Sequence, residues 1–560
     1  MKSICTCLLL SVSLLCACKR LVEESKTSTG GLEQRRVIPE ESTFFSTAFI
    51  EEAAPYDAPS DGDLWPSAWS DDDFLYTANG DGKGFNSDSV FSDIVSSRIS
   101  GYPLDQSVKG VRLTSGNNIG TIWGDTAIYN RKPTGMISVG GVLYLAVQDL
   151  NKKKANIFNE APSATILRSG DKGHTWQWNK SAPMFKDHIF TTVMFLDYGK
   201  DGTNNTFDKY VYAYGLDYNW RDSFSDIVPD PDKLYLARMP KDGIQDVTKW
   251  EFYTGDLKGR QSWSEPGRIS DRRPVLQDNR RRYQETIKAV RPDSLSVISQ
   301  GGIVYNKGLN RYIYTSWTEF TFEFYDSPTP WGPWKLFLSK DFGGYPWTKL
   351  NYGGYATVAP SKFISSDGRE MWISSSTFVG GIQHYNFSLR RLWLNPYQDT
   401  KPSNKKDNTN LALSADPLQV TPISAASIRY GKIRIINDRN KAISGNIDSY
   451  SVERKQEDYW GFTWPQAYYI NELAYTTGTI SKEHGGWFKD LQVQVRQNFK
   501  WMNVSNLKVD PAYTFNSSIL NNTTYKLTFD TIWGDGIRII GKPGGSSEYT
   551  SIAELEVYNK

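Results

Sequence analysis

Cysteine is absent from almost the whole 560-residue chain: its four copies lie at positions 5, 7, 16 and 18. A segment without cysteine cannot form disulfides or zinc–thiolate sites, and it offers no cysteine nucleophile. Histidine is also scarce, and its four copies are too scattered in the sequence to predict a zinc cluster. The formal charge of +2 gives no strong field for nucleic acid, so no nucleic-acid partner is expected.

The N-terminal segment accounts for all four cysteines. Lys2 precedes an apolar stretch, residues 8–15, that is too short to span a bilayer permanently. The stretch ends in Leu15-Cys16-Ala17-Cys18, which resembles a bacterial lipobox, where the last cysteine is lipidated. The resemblance implies a signal peptide over 1–17, a membrane anchor through lipid on Cys18, and an outer-membrane lipoprotein on the cell surface or the periplasmic face. The alternative is an ordinary secretory signal with chance cysteines.

The segment that follows, residues 18–60, is polar and contains Gly30-Gly31 and Arg35-Arg36, which predicts a tether. Aromatic residues are abundant in the chain, with 19 Trp, 32 Tyr and 26 Phe. Aromatic faces stack on sugar rings, so this composition suits a carbohydrate-binding protein. A large β-protein also buries many aromatic residues in its core, which is the simpler alternative for any single residue.

A repeated hairpin predicts the main fold. A short strand with a Tyr or Trp near its end recurs after turns rich in Gly, Asp or Asn, and an extended segment precedes each turn. The five copies cover residues 73–76, 141–144, 209–212, 311–314 and 369–372. Radial repetition of small antiparallel sheets builds a β-propeller. We therefore predict an all-β chain with a five-bladed propeller over 61–395; a large sandwich is the alternative.

A second motif supports this fold class. Ser169-Gly-Asp171-Lys-Gly173-His-Thr175-Trp176 matches the Asp-box pattern, which is common in propellers related to sialidases. Its Asp and Gly shape a turn between two strands, and its Trp packs beneath the turn. Because an Asp box is structural and lies on the outside of a blade, it does not itself indicate a catalytic activity.

The C-terminal part has a different pattern. Residues 396–416 have the composition of a linker, and 417–560 contain alternating strands such as 487–496 and 552–558. This stretch resembles the discoidin, or coagulation-factor type C, family of jelly-roll sandwiches. The resemblance implies a carbohydrate-binding role. Trp460, Trp464 and Trp487 are either platforms for sugar or core residues.

Two carboxylates are expected at the open end of the first hairpin. Asp63 precedes its first strand and Asp81 follows its second, so both lie opposite the turn at residues 70–73. Because neighbouring strands are about 4.8 Å apart, the two side chains can approach each other at the propeller mouth. A glycosidase needs such a pair, one as general acid and one as nucleophile or base. The alternative is that both Asp residues cap turns.

The same geometry applied to the other hairpins places a ring of polar and aromatic groups at the mouth. Its members are Lys132 and Gln148, then Asp187, His188 and Asp217, then Gln300, Trp317 and Glu319, and finally Tyr355 and Lys362. Acid, base and aromatic groups together suit a sugar site. No cofactor is predicted. The many Asp residues allow a structural calcium, although no EF-hand loop is present.

The first hairpin, residues 63–81, resembles the opening hairpin of the endo-D-arabinanases of glycoside hydrolase family 183, which are five-bladed propellers. Further matching stretches are 133–135, 235–238, 326–334 and 360–365. The resemblance implies that Asp63 and Asp81 are the catalytic pair. The family's usual Gly-Asp-Thr form occurs here at Gly124-Asp125-Thr126, so Asp125 is an alternative to Asp81.

The expected function is hydrolysis of a polysaccharide by an exported lipoprotein, with an endo-acting arabinofuranosidase activity as the finer expectation. A non-catalytic glycan-binding protein is the main alternative. A polysaccharide lyase is the third. It would need a Tyr, His or Lys base beside a group that neutralises the charge of a uronate, and His188 with Lys186 is the candidate.

Overall fold

The computed structural model describes residues 37–560 except 53, 155–156, 223–226, 283–294, 319, 343–352, 380–381, 426–432, 443–445 and 451–455. The predicted signal peptide over 1–17, Cys18 and Glu319 therefore lie outside the described residues. The all-β prediction is confirmed, because strands dominate and the helices are short 3-10 turns. None of the helices in the described part of the chain has the length and hydrophobicity that a membrane span requires.

Two strands come first in the chain, β1 (Phe45–Ile50) and β2 (Tyr56–Asp57). The first sheet then contains β3 (Asp61–Asp63), β4 (Ser67–Trp69), β5 (Leu75–Gly84), β6 (Ser92–Ser100) and β7 (Lys109–Ser115). The second contains β8 (Tyr129–Val139), β9 (Val142–Asn151) and β10 (Ala164–Ser169). The third contains β11 (Thr192–Asp197), β12 (Tyr210–Leu216), β13 (Lys233–Pro240), β14 (Glu251–Leu257), β15 (Arg260–Trp263) and β16 (Pro274–Gln277).

A small antiparallel pair, β17 (Arg281–Arg282) and β18 (Leu295–Ser296), lies between β16 and the next group of strands in the sequence. The fourth group of strands contains β19 (Gly302–Asn306), β20 (Arg311–Trp317), β21 (Thr321–Ser327) and β22 (Lys335–Asp341). It is continuous with the third, because β11 and β19 pair in parallel, with Leu196 opposite Ile303, and join the two groups into one ten-stranded sheet. The fifth contains β23 (Tyr355–Val358), β24 (Glu370–Val379) and β25 (Ile382–Pro396). The 3-10 turns are Gly116–Asn118, Lys200–Gly202, Lys241–Gly243, Val247–Lys249, Ile269–Asp271, Ser361–Phe363 and Ile433–Asn437.

Each of the five repeated hairpins is an antiparallel pair, as predicted: β4 with β5, β8 with β9, β11 with β12, β19 with β20 and β23 with β24. The first strands of these pairs converge on one narrow space, which is lined by Ser67, Thr134, Met194, Gly302 and Val358 among others. Its volume is about 20 Å³, room for about one water molecule. The five hairpins therefore share a packed axis.

Close backbone approach explains one glycine at this axis. A Cβ atom on Gly135 of β8 would lie 2.7 Å from the backbone oxygen of Val193 in β11. Thr134 beside it donates a hydrogen bond of 2.7 Å to the same oxygen. The backbone of β11 therefore packs directly against β8, and position 135 has no room for a residue larger than glycine.

The N-terminal strand completes the fifth sheet. β1 pairs antiparallel with β25, with Phe49 opposite Trp393, and β2 pairs with the same strand. This corrects the predicted tether over 18–60, because residues 45–50 are a buried edge strand. Phe45 and Ile50 are almost fully buried, and their apolar character was the signal that the polar composition of the surrounding segment concealed.

The C-terminal strands are β26 (Thr421–Ser424), β27 (Ile447–Asp448), β28 (Asp458–Thr477), β29 (Gln492–Gln497), β30 (Lys500–Asn503), β31 (Lys508–Asp510), β32 (Thr524–Gly541) and β33 (Ser551–Tyr558). They enclose one hydrophobic core, and Trp460, Trp464 and Trp487 are buried in it. The core reading of these three tryptophans is therefore confirmed over the platform reading.

The expected linker, residues 396–416, packs against this core. Leu411 donates its backbone N–H to Val557 of β33, and Ala412 is fully buried. Phe49 and Trp393 also belong to the same core cluster, and their rings lie 5.6 Å apart. Phe49 on β1 thus joins the fifth sheet to the C-terminal core.

The Asp box adopts the turn that its sequence predicts. Ser169 donates to Asp171 (2.8 Å), and the backbone N–H groups of Gly173 and Thr175 donate to Ser169 and Asp171 (2.8 and 2.9 Å). Trp176 is buried beneath the turn. The motif closes the end of β10.

Removing β1 tests its structural role. We expect a chain that begins at Glu51 to be less stable than one that begins at Ile38 by at least about 3 kcal/mol, because buried Phe45 and Ile50 are lost. Thermal unfolding of the two chains measures the difference. Equal unfolding temperatures would show that β1 does not stabilise the fifth sheet.

Candidate active site

Asp63 and Asp81 lie together at the open end of the first hairpin, as predicted. Asp63 ends β3, and its Cα pairs with that of Gly80 in β5, directly before Asp81. The turn at residues 70–73 is at the other end of the hairpin, beyond the Ser67–Thr77 pair. Both carboxylates are therefore carried by adjacent strands of one sheet.

The backbone around the two carboxylates is strained. Leu64, Trp65 and Asp81 have φ angles of 74°, 47° and 35°, a region that residues other than glycine rarely occupy. Trp65 is fully buried, and its Nε1 donates to Gly62 O (3.0 Å) and Ser376 Oγ (2.9 Å). These two hydrogen bonds hold Trp65 in its unusual backbone conformation. Residues with such strained backbones cluster at functional sites.

The Asp63 carboxyl group is buried beneath two tyrosines. Its Oδ2 accepts hydrogen bonds from Tyr385 (2.8 Å) and Tyr355 (3.2 Å). Its Oδ1 has no hydrogen-bond partner among the described residues. A Cβ atom at Gly80 would lie only 2.5 Å from Oδ1, so this strand position requires glycine.

Burial raises the pKa of Asp63 to about 6. The positive charge of Lys132 opposes the shift, the negative charge of Asp81 adds to it, and the hydrogen bonds from Tyr385 and Tyr355 oppose it. Asp63 therefore keeps its proton to a higher pH than an ordinary carboxyl group.

Asp81 has a different environment. Its Oδ1 forms an ion pair with Lys132 Nζ, and its side chain is 22% exposed while that of Lys132 is 2% exposed. One carboxyl group is thus buried and the other is partly open and faces a cation. Such a contrast between two neighbouring carboxyl groups is what separates an acid from a base or nucleophile.

Trp317 packs against Tyr355, one of the two tyrosines that contact Asp63. It is buried, its Nε1 donates to Gln300 O (2.5 Å), and its ring lies 5.4 Å from that of Tyr355 and 5.5 Å from that of Trp220. Because its faces are covered, Trp317 holds Tyr355 in place and does not offer an open sugar platform in this conformation.

Three other predicted residues, Gln148, Asp217 and His188, each have a polar partner, and the first two are buried. Gln148 Oε1 accepts from Thr192 (2.8 Å). Asp217 accepts from Arg272 (2.6 Å) and from the backbone N–H of Phe190 (2.8 Å). His188 Nε2 lies 3.1 Å from Glu160 Oε2.

The remaining predicted residues are not brought to Asp63. Asp125 is exposed and caps its own turn by accepting from the Ala127 N–H (2.8 Å). Lys362 is buried at the turn end of the first hairpin, where its Nζ contacts Asp73. The sequence pattern predicts Lys362 at the mouth. In the structure Lys362 lies in the 3-10 turn that follows β23, at the end of that strand opposite to the predicted one.

Sequence reasoning missed Tyr385 and Glu160. Tyr385 lies on β25, the third strand of its sheet, whereas the hairpin reasoning considered only the first two strands of each sheet. Glu160 precedes β10 and accepts hydrogen bonds from Tyr129 and Asn151 (both 2.8 Å), which together with His188 lower its pKa against the effect of burial. For Glu160, the available signal was a polar residue placed just before an outer strand.

Metal ligands are not grouped at this site. In the parts of the chain that the structure describes, no three His, Cys, Asp or Glu side chains are arranged to hold a metal ion. The structural calcium that the Asp content allows has no such group there.

Comparisons with known proteins give weak likenesses. No family model matches the sequence, and no curated protein matches it. A solved β-xylosidase designated RS223 is 12% identical, with a TM-score of 0.35 over 62% of this chain and 96% of its own. A Streptococcus pneumoniae β-galactosidase structure is 14% identical, with a TM-score of 0.22 over 29% of this chain and 100% of its own.

A family 32 carbohydrate-binding module of Clostridium perfringens NanJ, solved with galactose, is 19% identical, with a TM-score of 0.20 over 25% of this chain and 93% of its own. At TM-scores below 0.5, none of these likenesses establishes the fold or activity of this chain.

The environment of Asp63 predicts its titration. In protein labelled with ¹³C at the Asp carboxyl groups, we expect the signal that Asp63→Asn removes to titrate near pH 6. Tyr385→Phe and Lys132→Met should raise this pKa further, since each removes a group that favours the ionised form, and Asp81→Asn should lower it.

Tyr76→Phe is the matched control, because the Tyr76 hydroxyl contacts Asp72 at the other end of the hairpin (2.7 Å). An Asp63 signal that titrates near pH 4 in all variants would contradict this description.

Proposed function

We propose that the five sheets are the blades of a β-propeller and that its mouth hydrolyses glycosidic bonds, with Asp63 as general acid and Asp81 as nucleophile or base. One observation carries the proposal: a buried carboxyl group with a raised pKa lies on the strand next to a partly open carboxylate that faces a lysine. Two carboxyl groups with contrasting environments are what glycoside hydrolysis requires.

The residues divide the reaction between them. Asp63 donates its proton to the oxygen of the leaving sugar, while the Asp81 carboxylate attacks the anomeric carbon or takes a proton from the attacking water. Once Asp63 is ionised, the hydroxyl groups of Tyr355 and Tyr385 stabilise its charge. Lys132 orients Asp81 through their ion pair.

The finer assignments belong to the same proposal. The resemblance of the first hairpin to endo-D-arabinanases favours an endo-acting enzyme on arabinofuranosides. The C-terminal β-domain is proposed as a discoidin-like carbohydrate-binding module. A lipid on Cys18 would keep the enzyme at the outer membrane, next to a polysaccharide substrate.

A lyase is less well supported. It would need a base near the mouth, and Tyr385 is the nearest candidate to Asp63. Burial, together with the charge of Asp63, raises the pKa of Tyr385. A tyrosine in this state is a poor base near neutral pH.

Substitution of the two carboxylates tests the proposal. With a panel of plant, algal and mycobacterial glycans, we expect Asp63→Asn and Asp81→Asn each to lower the release of reducing ends at least about a hundredfold. Asp242→Asn is the control, because Asp242 is exposed and forms its ion pair with Lys249 (2.9 Å) in the 3-10 turn after β13. Asp125→Asn should also keep activity.

Binding of glycan without product would instead support the non-catalytic alternative, and unsaturated products that absorb in the ultraviolet would support a lyase. Loss of activity in Asp125→Asn but not in Asp81→Asn would show that Asp125, and not Asp81, is the nucleophile or base.

The pH dependence follows from the same pKa. Because the pKa of Asp63 is raised from 3.8 to about 6, the protonated form predominates below about pH 6 and decreases above it. We expect kcat/KM to fall about tenfold for each pH unit above 6, and a profile that stays flat to pH 8 would exclude Asp63 as the acid.

A further inference from the structure

Two glutamine side chains lie next to Lys132 and Pro133 on β8 and are almost completely buried. Gln148 is on β9, opposite Lys132 on β8, and is fully buried. Gln300 comes just before β19 and is 1% exposed. The proposed reaction uses neither of them.

Each of the two amides reaches from its own sheet to a strand of another sheet. Gln148 reaches from the second sheet to Thr192 at the start of β11. Gln300 Nε2 donates to Pro133 O (3.0 Å), so it reaches from the fourth sheet to the second. Since Pro133 directly follows Lys132, both amides are adjacent to the lysine that pairs with Asp81.

Each amide has one satisfied and one unsatisfied polar atom. Gln148 Nε2 and Gln300 Oε1 have no hydrogen-bond partner among the residues that the structure describes, and the same is true of Asp63 Oδ1. Buried polar groups are nearly always hydrogen-bonded. A sugar hydroxyl both donates and accepts, so neighbouring hydroxyl groups of one ring can satisfy an amide N–H and an amide oxygen together.

The charges at the mouth indicate which sugars fit. Lys132 and Arg272 each already contact a carboxylate, namely Asp81 and Asp217. A uronic acid would add a further negative charge beside the Asp81 carboxylate. The amides offer no charge to offset that repulsion.

We propose that Gln148 and Gln300 form an amide floor that binds the hydroxyl groups of an uncharged sugar unit seated against Asp63, so that the site selects neutral glycans over uronic-acid-containing ones. The inference rests on the proposed function for the position of the sugar. Binding to the amide floor itself requires no cleavage, so the two can fail separately.

Ligand binding at the mouth can be measured through the Asp63 carboxyl signal in the ¹³C-labelled full-length chain, because binding at the C-terminal domain would not affect this signal. We expect neutral oligosaccharides, such as arabinan and galactan fragments, to shift the signal saturably. Oligogalacturonate at the same concentrations should leave it unchanged.

Gln148→Met and Gln300→Met keep the side-chain volume and remove the amides, so each should weaken neutral-sugar binding at least tenfold. Gln245→Met is the matched control, because the exposed Gln245 contacts Ile166 and Gln177 on the outer side of the second sheet. Equal unfolding temperatures exclude misfolding of the variants.

Unchanged affinity in both Met variants, or equal binding of oligogalacturonate, would overturn the amide floor. If a Met variant does not fold, the comparison of neutral with charged sugars in the unmodified chain still tests whether the site selects neutral glycans. Selective binding of neutral sugar without cleavage would retain the amide floor and reject the hydrolase.

Discussion

The buried carboxyl group of Asp63 is the constraint on which the proposed site depends. A charged carboxylate is costly to bury, so its surroundings must either neutralise it or stabilise it. Here burial raises its pKa, while Tyr355, Tyr385 and Lys132 limit the increase. The left-handed backbone at Leu64 and the missing side chain at Gly80 allow the carboxyl group to occupy this position. A protein that needed Asp63 only as a turn cap would not require this arrangement.

The sheets bring the remaining groups to the same place. The first strands of five hairpins converge on one axis, so Tyr355 at the start of β23 contacts Asp63 although the two residues are distant in sequence. β1 completes the fifth sheet and, through Phe49, shares the C-terminal core. The stability of the site therefore depends on strands from both ends of the described chain.

Much of this arrangement could be predicted from the sequence, because a repeated hairpin with known turn positions fixes which residues lie at each end. That logic placed Asp63, Asp81 and Tyr355 together. It could not place Tyr385, which lies on a third strand, or the 3-10 turn that carries Lys362 to the opposite end. Two further features depend on tertiary packing, which composition does not reveal: the burial of Trp317 and the pairing of residues 45–50 with β25.

A crystal structure of Asp81→Asn with a neutral oligosaccharide would test the central claim most directly. The account predicts a glycosidic oxygen within hydrogen-bond distance of the Asp63 carboxyl group, at the mouth formed by the inner strands. A glycan bound only to the C-terminal domain, with Asp63 covered and out of reach, would contradict it.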